Sequence, residues 1–421
     1  MDAKTVLLIN THHNKGGAAV ACKRLSEALK EQDHIKVHHL VHLADSDPDS
    51  NHDYSVVTNR HIAFARIYLE RLLFLPYEKS KDIRFNFSPA NVGCNIINQP
   101  WISRADILHL HWINHGFISL KGLQKIFETG KPVVWTLHDM WMFTGGCHHS
   151  RGCNHYQANC GNCPFLSHPH ANDLSNRIKM FKQTIFKNAN LKVVTPSNWL
   201  ANCAMQSNLI NPSQVHVIPN PLNLNLFKPT DKTAARKRLG LDPDKRYLTF
   251  IAANVSTHYK GIAYLKQALK ILWDDKEVNR DIELIVIGQV KRVGYDEVQY
   301  PVHLAGYVSD ENQMVDYYNA SDVFVLPSLE ENLPNTIMEA MACGTPSVAF
   351  DTGGIADLID HKQNGYLAQY CDANDLAEGI KWVLNDKDRY NQLSTHARNK
   401  TTALYSYQII AEKYMEVYNS F

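Results

Sequence analysis

No apolar run in this chain approaches the ~18 residues that a membrane-crossing helix needs, so the sequence reads as one without such a span. The opening stretch MDAKTVLLIN holds a four-residue apolar run, too short for the apolar centre of a secretory signal. A cytoplasmic address is therefore expected, with peripheral attachment at the cytoplasmic face of the membrane as the variant of it. An excess of one charge is missing too. With 43 basic and 42 acidic residues, the chain is expected to have no nucleic-acid partner, although a local basic pocket is not excluded. There is no G-x-G-x-x-G turn, so a nicotinamide cofactor is poorly supported. Internal repeats and low-complexity segments are also absent. In a reducing compartment the nine cysteines read as thiols or metal ligands before disulfides.

What is present is a soluble globular composition, 44% hydrophobic and 20% charged, over 421 residues. That length exceeds what one core usually supports, so two domains are the default. Short aliphatic runs recur at Val6–Ile9, Asp106–His111, Val133–Leu137, Lys192–Thr195, Val215–Ile218, Leu248–Ala252, Glu283–Ile287, Val323–Leu326 and Ser347–Phe350. They are continuously apolar, as strands covered on both faces should be. Helix-length stretches such as Ala18–Glu31, Leu174–Lys187, Gly261–Leu272 and Leu376–Leu384 lie between many of them. The class is α/β, with βαβ units and parallel sheets. IPNPLNLNLFKP, Ile218 to Pro229, reads as the junction. The expected organisation is a doubly wound domain over 1–220 with a Cys-rich insert at 145–165, a second over 221–395, and a C-terminal helix in 396–421 packing on either. Ligands of open α/β sheets sit beyond the strands' carboxyl ends, so a central cleft between the two domains is the expected site.

One stretch carries most of the chemistry: SLEENLPNTIMEAMACGTPSVAF, residues 328–350. It follows the strand DVFVLP, and Pro334 suits the first turn of a helix continuing through Thr336–Cys343. Glu331 then lies in a loop at the sheet's carboxyl edge, and Glu339 lies on the helix. Amides near Leu333–Thr336 would form an anion-binding helix start. Spacing alone leaves open that Glu331 is an ordinary loop residue and Glu339 a solvent-facing one. In AANVSTHYKGIAYL, Lys260 precedes Gly261 at a helix start, where it would neutralise a diphosphate or simply face solvent. NTHHNKGGAAVACKRL joins a strand to a helix through Gly16 and Gly17, which let a ligand approach the backbone closely. His12, His13 and Lys15 there read as loop residues. VVWTLHDMW sets His138 and Asp139 just past a strand, as site residues or as a buried structural pair. Ser197 in TPSNWL reads as a helix cap.

PSLEENLPNTIMEAMACGTPSVAFDTGGIADLI resembles the E-x7-E region of retaining glycosyltransferases of family 4, which have the two-domain GT-B fold. LAGYVSDENQMVDYYNASDVFVLPS upstream, NGYL at Asn364–Leu367 and VIPNPLNLNLFKP at the junction resemble the same family. The resemblance implies a retaining, metal-independent glycosyltransferase that moves a sugar from a nucleotide-diphosphate sugar to a glycan or lipid-linked acceptor in cell-surface polysaccharide synthesis. No catalytic cofactor is implied, and no Asp-x-Asp stands in a metal-holding role. Glu331 would meet the donor sugar, Glu339 the ribose, and the amides of Asn332, Leu333, Pro334 and Asn335 would line the diphosphate and sugar. Lys260 would contact the diphosphate, Gly16–Gly17 the donor phosphates and acceptor, and His138 the transferred sugar. Where the family often has an arginine this chain has Asn254, with Arg246, Lys291 and Arg292 as the basic residues able to compensate. Asn332, Leu333 and Pro334 replace the family's usual glycine-flanked aromatic. The enzyme alternatives are a phosphorylase or a nucleotide-sugar epimerase. The non-enzyme alternative is a sugar-nucleotide-binding partner.

GGCHHSRGCNHYQANCGNCP spaces Cys147, Cys153, Cys160 and Cys163 as C-x5-C-x6-C-x2-C, which suits four thiolates around one structural zinc. His148, His149 and His155 are alternative ligands, and free thiols or two disulfides remain open readings. HDMWMFTGGCHHSRGCNHYQANCGNCP also resembles a segment of the family's bacterial exopolysaccharide and lipopolysaccharide branch. The remaining cysteines, at 22, 94, 203, 343 and 371, read as core thiols. HIAFARIYLERLLFLPYEK, His61 to Lys79, reads as a core helix, the alternative being an interfacial segment that meets a lipid-linked acceptor.

Overall fold

The computed structural model describes residues 3–44, 54–254, 258–276, 280–289 and 297–421, the side chains of Ala253 and Asn254 excepted. The chain forms two compact units, one of Met1–Pro221 with Tyr407–Phe421, the other of Leu222–Ser406.

Among the described residues the first unit holds seven strands: β1 (Lys4–His12), β2 (Ile35–Leu43), β3 (Tyr54–Val56), β4 (Ile107–Leu110), β5 (Val133–Thr136), β6 (Leu191–Thr195) and β7 (Val215–Val217). They pair in the order β3-β2-β1-β4-β5-β6-β7, all parallel. The second holds β8 (Arg246–Asn254), β9 (Ile282–Gln289), β10 (Val302–Gly306), β11 (Val323–Leu326), β12 (Ser347–Phe350) and β13 (Gly365–Ala368), in the order β10-β9-β8-β11-β12-β13, again parallel. Each sheet reverses its winding once, between β1 and β4 and between β8 and β11. Such a switch point is where an open sheet leaves room for a ligand. The continuous apolar runs arise because both sheet faces are covered: Val6–Ile9 and Val323–Val325 have no exposure.

The end of the chain divides. Helix Lys387–Leu404 stays with the second unit, whereas helix Tyr407–Asn419 belongs to the first. The latter packs Ile410, Tyr414, Val417 and Tyr418 against Val6, Leu8 and Leu25. Among the described residues no helix is long and apolar enough to cross a membrane.

Helix Arg60–Phe74 overturns the expectation of a core helix. Glu70 and Arg71 point inward, while Leu69, Leu72 and Leu73 are exposed. Hydrogen bonding explains the inversion. The Glu70 carboxylate accepts from the amides of Ala90 (3.0 Å) and Gly116 (2.9 Å) and pairs with Arg71 at 3.1 Å. Arg71 in turn donates to the carbonyls of Arg84 and Phe87. Buried ionic groups persist only with such partners.

Candidate functional site

At the switch point of the second unit, the turn His258–Lys260 and the loop after β11 lie against each other. The Leu329 amide donates to the Tyr259 carbonyl at 2.8 Å. Gly261 has φ +71°, and a Cβ there would stand 1.7 Å from the Pro327 carbonyl oxygen. Gly353, at φ +58°, would likewise meet the Glu331 carbonyl oxygen at 1.7 Å. Two backbone approaches thus require glycine and fix Lys260 and Glu331 beside one another. The Lys260 Nζ donates to Glu331 Oε1 at 2.5 Å, with side chains 23% and 15% exposed. Burial alone would lower the lysine's pKa, but the Glu331 carboxylate outweighs it and raises it, so the ammonium stays charged.

Helix Asn335–Ala342 starts four residues after Glu331, with Pro334 in the capping position, one residue before the helix, and no side chain capping the start. Asn332 and Leu333 are buried. Leu333 packs with Ile337 and Met338, so its side chain serves the core, and only its backbone is available to a ligand. Glu339 is buried rather than facing solvent, and its Oε2 accepts from the Tyr318 hydroxyl at 2.6 Å. The structure therefore brings Lys260 and Glu331 into contact and sets Asn332–Asn335 between Glu331 and the helix that carries Glu339. Asn254 ends β8 opposite Gln289, but its side chain, Lys291 and Arg292 lie outside the described residues. Arg246 corrects an expectation. It opens β8 and pairs with Asp281 at 2.7 Å, about 26 Å along the strand from Asn254, so it cannot replace a cation there.

In the first unit, Gly16 (φ +89°) caps helix Gly17–Lys30, placing both glycines just beyond the carboxyl end of β1. Thr11 Oγ1 donates to the carbonyls of Trp112 (2.9 Å) and Asn114 (3.0 Å), and Asn10 Oδ1 accepts the Trp112 amide (3.0 Å). These bonds tie the ends of β1 and β4 together. His138, past β5, has Nε2 3.0 Å from His111 Nδ1. His111 stacks on His109, whose ring nitrogens contact the Tyr418 hydroxyl (2.7 Å) and Thr136 Oγ1 (2.8 Å). Burial lowers the pKa of His138 to about 4 and of His109 to about 3, so this row is neutral at ordinary pH.

Asp139 is held by residues beyond its neighbour His138. Its Oδ2 takes His148 Nδ1 (2.6 Å) and the Trp112 indole N–H (2.8 Å), and its Oδ1 takes the Trp141 amide (2.8 Å). Burial pushes its carboxyl up, but His148 and these donors hold it at about 2. His111 and Trp112 were missed in the sequence, and His148 was read there only as an alternative metal ligand. The available signal was HLHW, where His109 and His111 alternate along a strand and so share one face. Ser197 Oγ accepts the Leu200 amide at 3.1 Å, the expected cap.

All nine cysteines are free. Cys147, Cys153, Cys160 and Cys163 line one small cavity together with His155. Burial, and then proximity to one another, raises the Cys147 thiol, and burial pushes Cys163 up to about 12. Among the described residues no group of three or more His, Cys, Asp or Glu side chains stands ready to hold a metal ion.

Two doubly wound parallel units, one with a lysine–carboxylate pair and a helix start at its switch point, define the architecture of GT-B glycosyltransferases. The family models agree: residues 15–226 match Glycosyltransferase Family 4, and residues 231–400 match Glycosyl transferases group 1. The chain belongs to glycosyltransferase family 4. A D-inositol 3-phosphate glycosyltransferase of Thermobispora bispora is 28% identical over 218 residues, 49% of this chain and 50% of that protein. An alpha-maltose-1-phosphate synthase of Mycolicibacterium smegmatis is 27% identical over 227 residues, 50% and 57% of the two chains. The chain spans about half the length of the curated relatives it matches. Among solved structures, sucrose-phosphate synthase from Thermosynechococcus elongatus superimposes with TM-score 0.68 at 20% identity, covering 99% and 98% of the chains. HepE of Anabaena in complex with UDP-glucose gives 0.65 at 15%, covering 99% and 100%. At these identities the likeness is one of fold.

Proposed function

We propose that the protein transfers a sugar, with retention, from a nucleotide-diphosphate sugar to a glycan or lipid-linked acceptor in cell-surface polysaccharide synthesis. The observation that carries this is the Lys260–Glu331 ion pair beside the start of helix Asn335–Ala342 at a sheet switch point. A diphosphate accepts hydrogen bonds from an ammonium and from backbone amides at a helix start. As the bond from the anomeric carbon to the diphosphate oxygen breaks, Lys260 stabilises the negative charge left behind. The acceptor hydroxyl oxygen bonds to that carbon on the same face, and its proton passes to the departing oxygen. No metal enters these steps. Glu331 orients sugar hydroxyls and Glu339 accepts from the ribose. The roles of Gly16, Gly17 and His138 rest on the resemblance. HepE was solved with UDP-glucose, which supports trying uridine donors first.

Thermal denaturation in the presence of nucleoside diphosphates and their sugars tests this reading. A ligand at a hundred times its dissociation constant adds about 2.7 kcal/mol, an upward shift easily read. If no nucleoside diphosphate or sugar conjugate raises the melting temperature, the reading fails. Isomerised free sugar formed without acceptor would favour an epimerase instead, and tight binding without turnover would favour a binding partner.

The cysteine cluster belongs to the proposal as a structural zinc site, although the four side chains would have to draw together to form it. What supports it is charge. Lys179 and Lys182 are buried beside these thiols, bonded to the carbonyls of Tyr156, Trp141 and Thr144. Four thiolates around Zn2+ carry a net charge of about −2, which two ammoniums would balance. Native mass spectrometry should show one bound zinc, lost when Cys160 and Cys163 are both replaced by serine. An apo mass with four alkylatable thiols would overturn the site.

A further inference from the structure

Nine of the eighteen exposed large apolar side chains among the described residues fall within residues 62–85: Ile62, Phe64, Tyr68, Leu69, Leu72, Leu73, Leu75, Tyr77 and Phe85. Soluble proteins seldom gather so many on one surface unless something covers it. The inversion of helix Arg60–Phe74 makes the concentration more pointed, because Glu70 and Arg71 are turned inward and its leucines outward. Leu72 is 64% exposed and Tyr68 is 71% exposed.

The charges around the patch indicate the occupant. Glu70 is consumed by two amides and Arg71, and Glu78 is consumed by Arg84 at both carboxylate oxygens. The only exposed acid in the stretch is Asp82, which lies 3.9 Å from Arg151 and accepts the Ser80 hydroxyl. Arg60, Lys79 and Lys81 are exposed at the two ends of the apolar face. An apolar strip that includes two exposed tyrosines and is flanked by long cationic side chains is complementary to the boundary between acyl chains and anionic headgroups. The helix is also braced from behind. Phe74 packs with Phe87, Cys163 and Phe165, while Glu78 bridges to Leu166 and the Lys79 amide donates to the Phe165 carbonyl. That support lets the face present leucines without the helix rolling over to hide them.

We propose that the outward face of residues 60–85 docks on an anionic lipid bilayer, with Leu69, Leu72 and Leu73 inserted among the headgroups and Arg60, Lys79 and Lys81 on the lipid phosphates. The proposal does not depend on sugar transfer, and its test uses no substrate. Flotation of the full chain with vesicles of phosphatidylcholine alone, or mixed with phosphatidylglycerol, reads it. The wild type should float with the anionic vesicles and lose this binding at high salt. Leu69→Asp combined with Leu72→Asp should cut binding about tenfold or more, while Leu304→Asp with Tyr307→Asp, exposed on the other unit, should leave it unchanged. Should the first variant fail to fold, Lys79→Glu with Lys81→Glu keeps the test open: loss of the anionic preference supports docking. Absence of wild-type flotation, or equal flotation of the leucine variant, would overturn it. So would a wild-type dimer, unable to float, that Leu72→Asp converts to monomer, because the face would then belong to a second copy of the chain.

Discussion

Lys260→Ala is expected to lower kcat by about 10²–10³-fold, a loss of ~3–4 kcal/mol of transition-state stabilisation, while nucleoside diphosphate affinity falls much less. The argument rests on when charge develops. In the bound donor the diphosphate bears part of its charge already, and backbone amides share it. When the glycosidic bond breaks, one further negative charge appears on the leaving oxygen, and the ammonium is the cation held beside this loop. Its position is fixed by the approach of Gly261 to Pro327 and by the 2.5 Å bond to Glu331. A fixed charge stabilises without reorganising at the moment of reaction. Because the Glu331 carboxylate raises the lysine's pKa, the ammonium remains through neutral pH and the rate should not fall there from its deprotonation. Steady-state kinetics with saturating donor check this. A kcat within threefold of wild type would remove Lys260 from the chemistry. Glu331→Gln separates the two roles, since it keeps hydrogen bonding to a sugar but releases the lysine.

The parts of this site legible in the sequence were the local ones. The loop-to-helix layout around Glu331 and Glu339 could be read because strand, proline, helix and terminal glycine follow one another within one stretch. Nine strands announced themselves as unbroken aliphatic runs. β2 did not, because IKVHHLVHL carries three histidines that the structure buries. β3 has only three residues, β10 lies at the sheet edge, and β13 opens on a glycine. The pairing of Lys260 with Glu331 spans 71 positions and depends on two backbone approaches that no spacing rule reports. Asp139 illustrates the same limit: adjacency points only to His138, whereas the bond to His148 is one that no spacing rule reports. Leu333 is read from the motif for its backbone amide alone, and the motif does not report that its side chain fills the core.

The inverted helix is where sequence periodicity misled most, and it yields the largest expected effect on stability. Glu70→Ala should destabilise the first unit by about 3–5 kcal/mol, because it strands the Arg71 guanidinium and two amides in a buried site. Glu70 is fully buried and Arg71 is 6% exposed. Neither the Ala90 amide nor the Gly116 amide would find another acceptor at the vacated position. Calorimetry should register a melting temperature lower by roughly 10 °C or more for a unit of this size. Leu72→Asp, on the opposite face of the same helix, should change it little, since exposed substitutions usually stay within about 0.5 kcal/mol. That pair reverses what hydrophobicity alone would forecast, with the loss of a charge costly and the gain of one harmless. Replacing Glu70 and Arg71 together by leucine and methionine should recover part of the loss from the single change, because no uncompensated charge remains. If Glu70→Ala melts at the wild-type temperature, the buried pair does not hold the helix in its inverted orientation, and the outward leucines need another cause.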